Sequence, residues 1–250
     1  PFYRQEKRFE RIGFHISRQD MSNWTIAAPG RVKPLLGRLE TLIRGGPLIQ
    51  MDETPLQVVN EPERKNTSKS YMWIARGGPS DSPTVLYHYR PTRGDEYPRR
   101  FLSGFEGRLQ TDGYAVYRKL SQELPFTLVG CWAHARRKFF EAGKAAKTGA
   151  AHEALGHINK LYRIERDLRS DSELSPEEFT NRRQEQAQPI VERLLSWLHR
   201  KKETVPPSTL LGGAVKYTLG EWDALVRYLE RPEITPDNNT AENAIRPFVL

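Results

Sequence analysis

The 250-residue chain has a single cysteine, Cys131, which excludes an internal disulfide framework and suits a reducing cytosol. No run of apolar residues approaches the roughly 20 needed to span a bilayer, and no signal peptide is evident, so no membrane partner is expected. Internal repeats and low-complexity tracts are also missing. Acids are in the minority, 31 Asp and Glu against 39 Lys and Arg, for a net charge of +8. That balance fits a polyanionic partner without requiring one. The chain starts at Pro1, and the stretch from Ala244 to Leu250 stops without a cap or turn, so it reads as a piece of a longer protein.

What is present is a change of pattern along the chain. Arg4 to Ile12 reads as a helix stopped by Gly13, and Ser17 is a good N-cap for a second helix through Met21 and Trp24. This resembles a helix-turn-helix with Arg4, Lys7, Arg8, Arg11 and Arg18 towards phosphates; a helical hairpin with solvated charges fits equally well. Pro29, Gly30 and Pro34 suggest a joint before a short packing helix bearing Leu35, Leu36, Leu39, Leu42 and Ile43. From Gly45 the period becomes that of strands. Residues 47–51, 70–75 and 84–89 predict an antiparallel meander, followed by a helix, a strand at 108–111, a helix, a strand at 126–130 and a helix at 133–142. Residues 143–206 show helical spacing only, with Ser175-Pro176-Glu177-Glu178 as a helix start. A further helix is expected at 219–229. A mixed α/β sheet is the economical architecture.

The acids stand where chemistry is expected. Asp52 is read as ending the first strand of the meander, Asp112 as ending the fourth strand, and Glu242 as lying at the start of the last helix. Carboxylates from separate elements can hold the pair of hard divalent cations used in phosphodiester chemistry. Duller readings stand beside this one: Asp112-Gly113 is a frequent turn pair, and Glu242, three residues after Asn239, can complete a capping box. Glu53, Asp95 and Glu96 are rival ligands.

Four segments taken together carry a resemblance. Met51-Asp52-Glu53-Thr54-Pro55, Thr111 to Tyr117, Cys131 to Phe139 and Asn238 to Pro247 resemble, in order, the motifs of transposases of the insertion-sequence sixty-six family. The resemblance implies an α/β, ribonuclease-H-like mixed sheet with flanking helices and an all-α insertion before the last acid. Its divisions are an N-terminal helical segment at 1–44, the first part of the catalytic core at 45–142, the insertion at 143–206 and the end of the core at 207–250. It also implies an Asp-Asp-Glu triad of Asp52, Asp112 and Glu242 serving as both catalytic residues and metal ligands. The cofactor would be two Mg²⁺ ions, with Mn²⁺ as a substitute. The expected activity is cleavage and strand transfer of double-stranded DNA, both transposon ends and target, by a homo-oligomer on DNA in a prokaryotic cytoplasm. The family continues both upstream of Pro1 and beyond Leu250. A catalytically silent DNA-binding remnant and a cellular nuclease on the same core are the competing functions.

Further DNA-contacting candidates are His134, Arg136, Arg137 and Lys138 on one helix start, Arg246 four residues after Glu242, and Arg18. Cys131 and His134 have the spacing of half a zinc site, without a matching second half among the other histidines. His134 near the cleft and His134 as a satisfied buried residue both fit. Tyr114 and Tyr117 read as packing under the site, with base stacking as the alternative. Pro247 is expected to kink or end the last helix.

Overall fold

Strand-forming residues separated by strong turns produce five strands in one sheet: β1 (Leu48–Gln57), β2 (Lys69–Gly77), β3 (Thr84–Arg90), β4 (Arg108–Gln110) and β5 (Thr127–Val129). Their order is β3-β2-β1-β4-β5. The first three form the expected antiparallel meander, while β4 runs parallel to β1 and β5 parallel to β4. The helices are α1 (Phe2–Arg11), α2 (Arg18–Arg44), α3 (Glu96–Phe101), α4 (Ala115–Glu123), α5 (Trp132–Gly143), α6 (Ala150–Ser170), α7 (Pro176–Thr204), α8 (Leu210–Gly220), α9 (Trp222–Val226) and α10 (Asn239–Ile245). This computed structural model describes residues 1–144 and 148–246, so the expected break at Pro247 lies outside the described residues. Two compact units result, Pro1–Leu42 and Ile43–Leu250. The class is mixed α/β. Among the described residues no helix is long and apolar enough to cross a membrane.

Three local expectations are corrected. Residues 18–44 form one helix through Pro29 and Pro34 rather than a joint and a second helix. Proline's fixed φ is itself helical, so each proline removes one backbone hydrogen bond and the flanking turns carry the helix on. Leu35, Leu36 and Leu42 on it are exposed rather than packed. β1 does not end at Asp52 but runs to Gln57 through Pro55. Only Leu48–Gln50 pair with β4, so the far half of β1 has an open edge, the setting in which a strand tolerates proline. The helix expected at 219–229 is split: α8 stops at Gly220, and α9 gives way to a 3₁₀ turn at Arg227–Glu230. The early glycines of α8 hid it from the sequence, yet one is required: a Cβ on Gly212 would sit 2.1 Å from the Pro206 carbonyl oxygen.

The helical stretch after β5 builds its own core. Trp132 and Phe139 of α5 pack with Ile158 and Leu161 of α6, Leu194 and Trp197 of α7, and Leu225 of α9. Burying each such side chain contributes roughly 1.5–3 kcal/mol. Ser175 caps α7 with the predicted capping box. Within this core Arg183 is fully buried. It donates to Glu165 at 3.0 Å and to the carbonyls of Tyr228 and, at 2.8 Å, Arg231. Arg169 binds the same Glu165 at 2.6 Å and the Pro232 carbonyl at 2.8 Å. These arginines hold the loop that leads towards α10.

Candidate active site

Parallel pairing sets the first two acids. Gln50 and Gln110 are register partners at the end of the β1–β4 ladder. Asp52 and Asp112 each lie two residues further on; within β1 a period of two turns Asp52 towards the same face as Gln50, and Asp112 follows the end of β4. The strands part beyond the glutamines, and clefts in open α/β sheets form at such carboxyl ends. Asp52 Oδ1 accepts the Glu53 amide at 2.9 Å. Asp112 Oδ1 accepts the Tyr114 amide at 3.0 Å, so the turn-forming role foreseen for Asp112 is real and uses one oxygen.

The third acid reaches this face through packing. Ala241 and Ile245 of α10 pack on Ile74 of β2. Ile74 is the residue directly opposite Asp52 in the β1–β2 ladder, so the helix lies over the face that carries Asp52. A buried polar network fixes its approach. Thr240 donates to Gln50 Oε1 at 2.6 Å, Gln50 donates to Gln110 Oε1 at 2.9 Å, and Gln110 donates to the Thr235 carbonyl at 2.7 Å. Asn238 donates through its side chain to the Met51 carbonyl at 2.9 Å. Asn238 is the N-cap of α10 and makes no side-chain cap bond, so Glu242 completes no capping box.

The electrostatics match three crowded carboxylates. Burial pushes the Asp52 carboxyl up to about 7, and the negative charges of Asp112 and Glu242 add to it. Glu242 Oε1 is buried and has no hydrogen-bond partner among the described residues. His134 Nδ1 stands 3.7 Å from that oxygen and Arg137 Nη2 3.9 Å from Oε2, both beyond hydrogen-bonding distance. Hard oxygen donors, mutual repulsion and an unsatisfied carboxylate oxygen together fit divalent cations.

Over residues 1–250 the chain matches the family model described as Transposase IS66 family. The chain belongs to that family. It is 32% identical over 262 residues to the uncharacterized protein y4jD of Sinorhizobium fredii, covering all of this chain and 50% of that protein. It is likewise 32% identical to the uncharacterized protein y4qI of the same organism, covering 48% of that protein. The chain thus spans about half the length of these curated relatives.

In this IS66-family chain the other candidates fall into distinct settings. Cys131, His134 and Glu242 each offer a ligand atom within 4.8 Å of the others, a grouping the Cys-x-x-His spacing only half revealed. Burial pushes the Cys131 thiol up to about 12, which favours the thiol over the thiolate that zinc takes. Arg136 Nε donates to Asn159 Oδ1 at 3.0 Å, and Lys138 lies 4.7 Å from the centre of the Tyr217 ring. Arg246 is exposed and Arg18 pairs with Glu6 at 3.0 Å. Asp95 is engaged by Arg99 at 2.9 Å and Lys119 at 3.0 Å, which leaves it a surface ion-pair residue.

Glu53, named only as a rival ligand, is a buried neighbour of the site. Arg93 grips it with two hydrogen bonds, at 2.8 and 2.6 Å, and Tyr117 donates to its other oxygen at 3.1 Å. Burial and the Asp112 charge nevertheless outweigh Arg93 and push the Glu53 carboxyl up to about 7. Tyr114 lies under the Arg93 guanidinium, 4.0 Å from ring centre to carbon, and Tyr117 is fully buried, so both tyrosines pack. Arg93 carried no signal of its own in the sequence, and Asn238 entered only as the first residue of the last motif. Polar residues at buried strand positions, as at Gln50 and Gln110, were the available clue.

Proposed function

We propose that this chain is the catalytic portion of a DNA transposase with a ribonuclease-H-like core, in which Asp52, Asp112 and Glu242 form the acidic triad. The observation that carries the reading is the electrostatic coupling of three carboxylates supplied by β1, the end of β4 and α10. The strand order β3-β2-β1-β4-β5, with an antiparallel meander on one side and parallel strands on the other, supports the core assignment. Asp52, Asp112 and Glu242 would hold two Mg²⁺ ions, or Mn²⁺ in their place. Bound there, the ions supply Lewis acidity for in-line attack of water or a 3′-hydroxyl on a phosphodiester. Asp112 is oriented by the Tyr114 amide, leaving its second oxygen for a ligand. Arg93 holds Glu53 beside the site through two hydrogen bonds. Arg137 and His134 flank Glu242 on the side where a phosphate backbone would pass. Double-stranded DNA, as element ends and target, is the partner, and a homo-oligomer on DNA is the working form.

The test is nicking of supercoiled plasmid with Mg²⁺ by the wild-type chain and by Asp112→Asn. Nicking that requires the metal and falls at least about a thousandfold in the variant, with DNA binding retained, is expected for a two-metal site. Equal nicking by both proteins would refute the triad. Metal-independent DNA binding with no nicking by the wild type would identify a silent DNA-binding remnant instead.

A further inference from the structure

Beside the carboxylates lies an open cleft of about 520 Å³ between α5 and α6. Its chemistry is not that of an ordinary solvated surface. Arg136, Arg137 and Phe140 project from one face of α5, while Tyr162, Arg163 and Arg166 share a face of α6 at helical spacing. The third wall is the segment that enters α10, through Asp237 and Asn239. Four guanidinium groups therefore face one carboxylate. Arg136 spends its Nε on a neutral partner, Asn159, and Arg137 reaches Glu242 only at 3.9 Å. Arg163 and Arg166 make no hydrogen bond or ion pair to a described residue. Two guanidinium groups without such partners beside two partly engaged ones are suited to phosphate, which they can bind in a fork.

Shape narrows the ligand further. A cleft of about 520 Å³ is too small to admit a duplex but can hold one nucleotide. A concave site with ring walls suits one nucleotide removed from its stack, because aromatic faces take bases of any sequence. Phe140 is half exposed in this cleft. Through Arg137, Asp237 and Asn239 the cleft adjoins the helix that bears Glu242.

We infer that this cleft receives one unstacked nucleotide of the DNA strand engaged at the carboxylates, its phosphate met by the arginines and its base by Phe140 and Tyr162. The inference rests on the DNA-processing reading above and adds a site separate from the triad.

The probes are a 15-nucleotide single strand carrying one 2-aminopurine and the same strand annealed to its complement, each titrated without Mg²⁺. The wild-type chain should bind the single strand about tenfold more tightly than the duplex and change the 2-aminopurine emission on binding. R163A/R166A should weaken single-strand binding about tenfold, with the duplex changed less than about threefold and circular dichroism unaltered. F140S, a single exposed substitution, should abolish the emission change and serves if the double variant misfolds. Unchanged single-strand affinity in R163A/R166A, or equal loss on both probes, overturns the cleft. Plasmid nicking run in parallel separates the two readings. Wild-type nicking with unchanged single-strand affinity in R163A/R166A overturns the cleft alone. No nicking, with single-strand binding lost selectively in R163A/R166A, overturns the carboxylate reading alone. A wild-type chain that binds neither probe and does not nick plasmid overturns both.

Discussion

Gln50 and Gln110 are register partners on adjacent parallel strands and are joined side chain to side chain at 2.9 Å, with both residues buried. The pair links the strands carrying Asp52 and Asp112 to Thr240 and Thr235 around α10. Gln110→Ala should lower stability by about 1–3 kcal/mol, because buried partners are left unsatisfied. A double-mutant cycle with Gln50→Ala, read by urea unfolding, should show coupling of at least about 0.5 kcal/mol. Strict additivity would mean the two amides act independently.

Asp52 gives a stability prediction with a definite sign. Its folded-state carboxyl is pushed above the ordinary carboxylate range to about 7. Its contribution is therefore intact below the ordinary value and lost as pH rises through 7. Metal-free wild-type protein should melt lower at pH 8 than at pH 6. Asp52→Asn should narrow that gap and stabilise the protein at pH 8 by about 1–3 kcal/mol. Differential scanning calorimetry in EDTA reads both, and an Asn variant that is less stable at pH 8 contradicts the crowding of charge described here.

Arg183 tests the helical block. Truncation to Ala leaves the buried Glu165 carboxylate to Arg169 alone and removes the donor to the Tyr228 and Arg231 carbonyls. A loss of about 3–5 kcal/mol is expected in urea unfolding. Adding Glu165→Gln to the Ala variant should recover part of it. A cost below about 1 kcal/mol for Arg183→Ala would show that water reaches the site freely.

Cys131 should be chemically quiet. It is buried, and its thiol is pushed up to about 12. At pH 8 the native protein should react with Ellman's reagent at least about tenfold more slowly than the urea-unfolded chain. Equal rates would place the thiol at the surface.

Elements with a strong local signal were legible in the sequence. The meander, the strand before Asp112 and the Ser175 cap follow from β-branched runs, turn glycines and capping chemistry. Features set by tertiary contact were not. The passage of β1 beyond Asp52 depends on β4 ending at Gln110, and the continuity of α2 depends on turns flanking Pro29 and Pro34. At the site, the three acids could be named, but the orientation of Glu242 could not, because it is governed by Ile74 and by amides far away in sequence. Arg93 met Glu53 unannounced for the same reason: no spacing rule connects a loop arginine to a strand carboxylate.

Gln50 and Thr240 are separated by 190 residues of chain. Translation therefore delivers both aspartates long before the helix that brings the third acid. A polypeptide still emerging from the ribosome has an unfinished sheet face until α10 packs on Ile74. A chain cut before Thr240 lacks the donor to Gln50 and the helix that packs on Ile74.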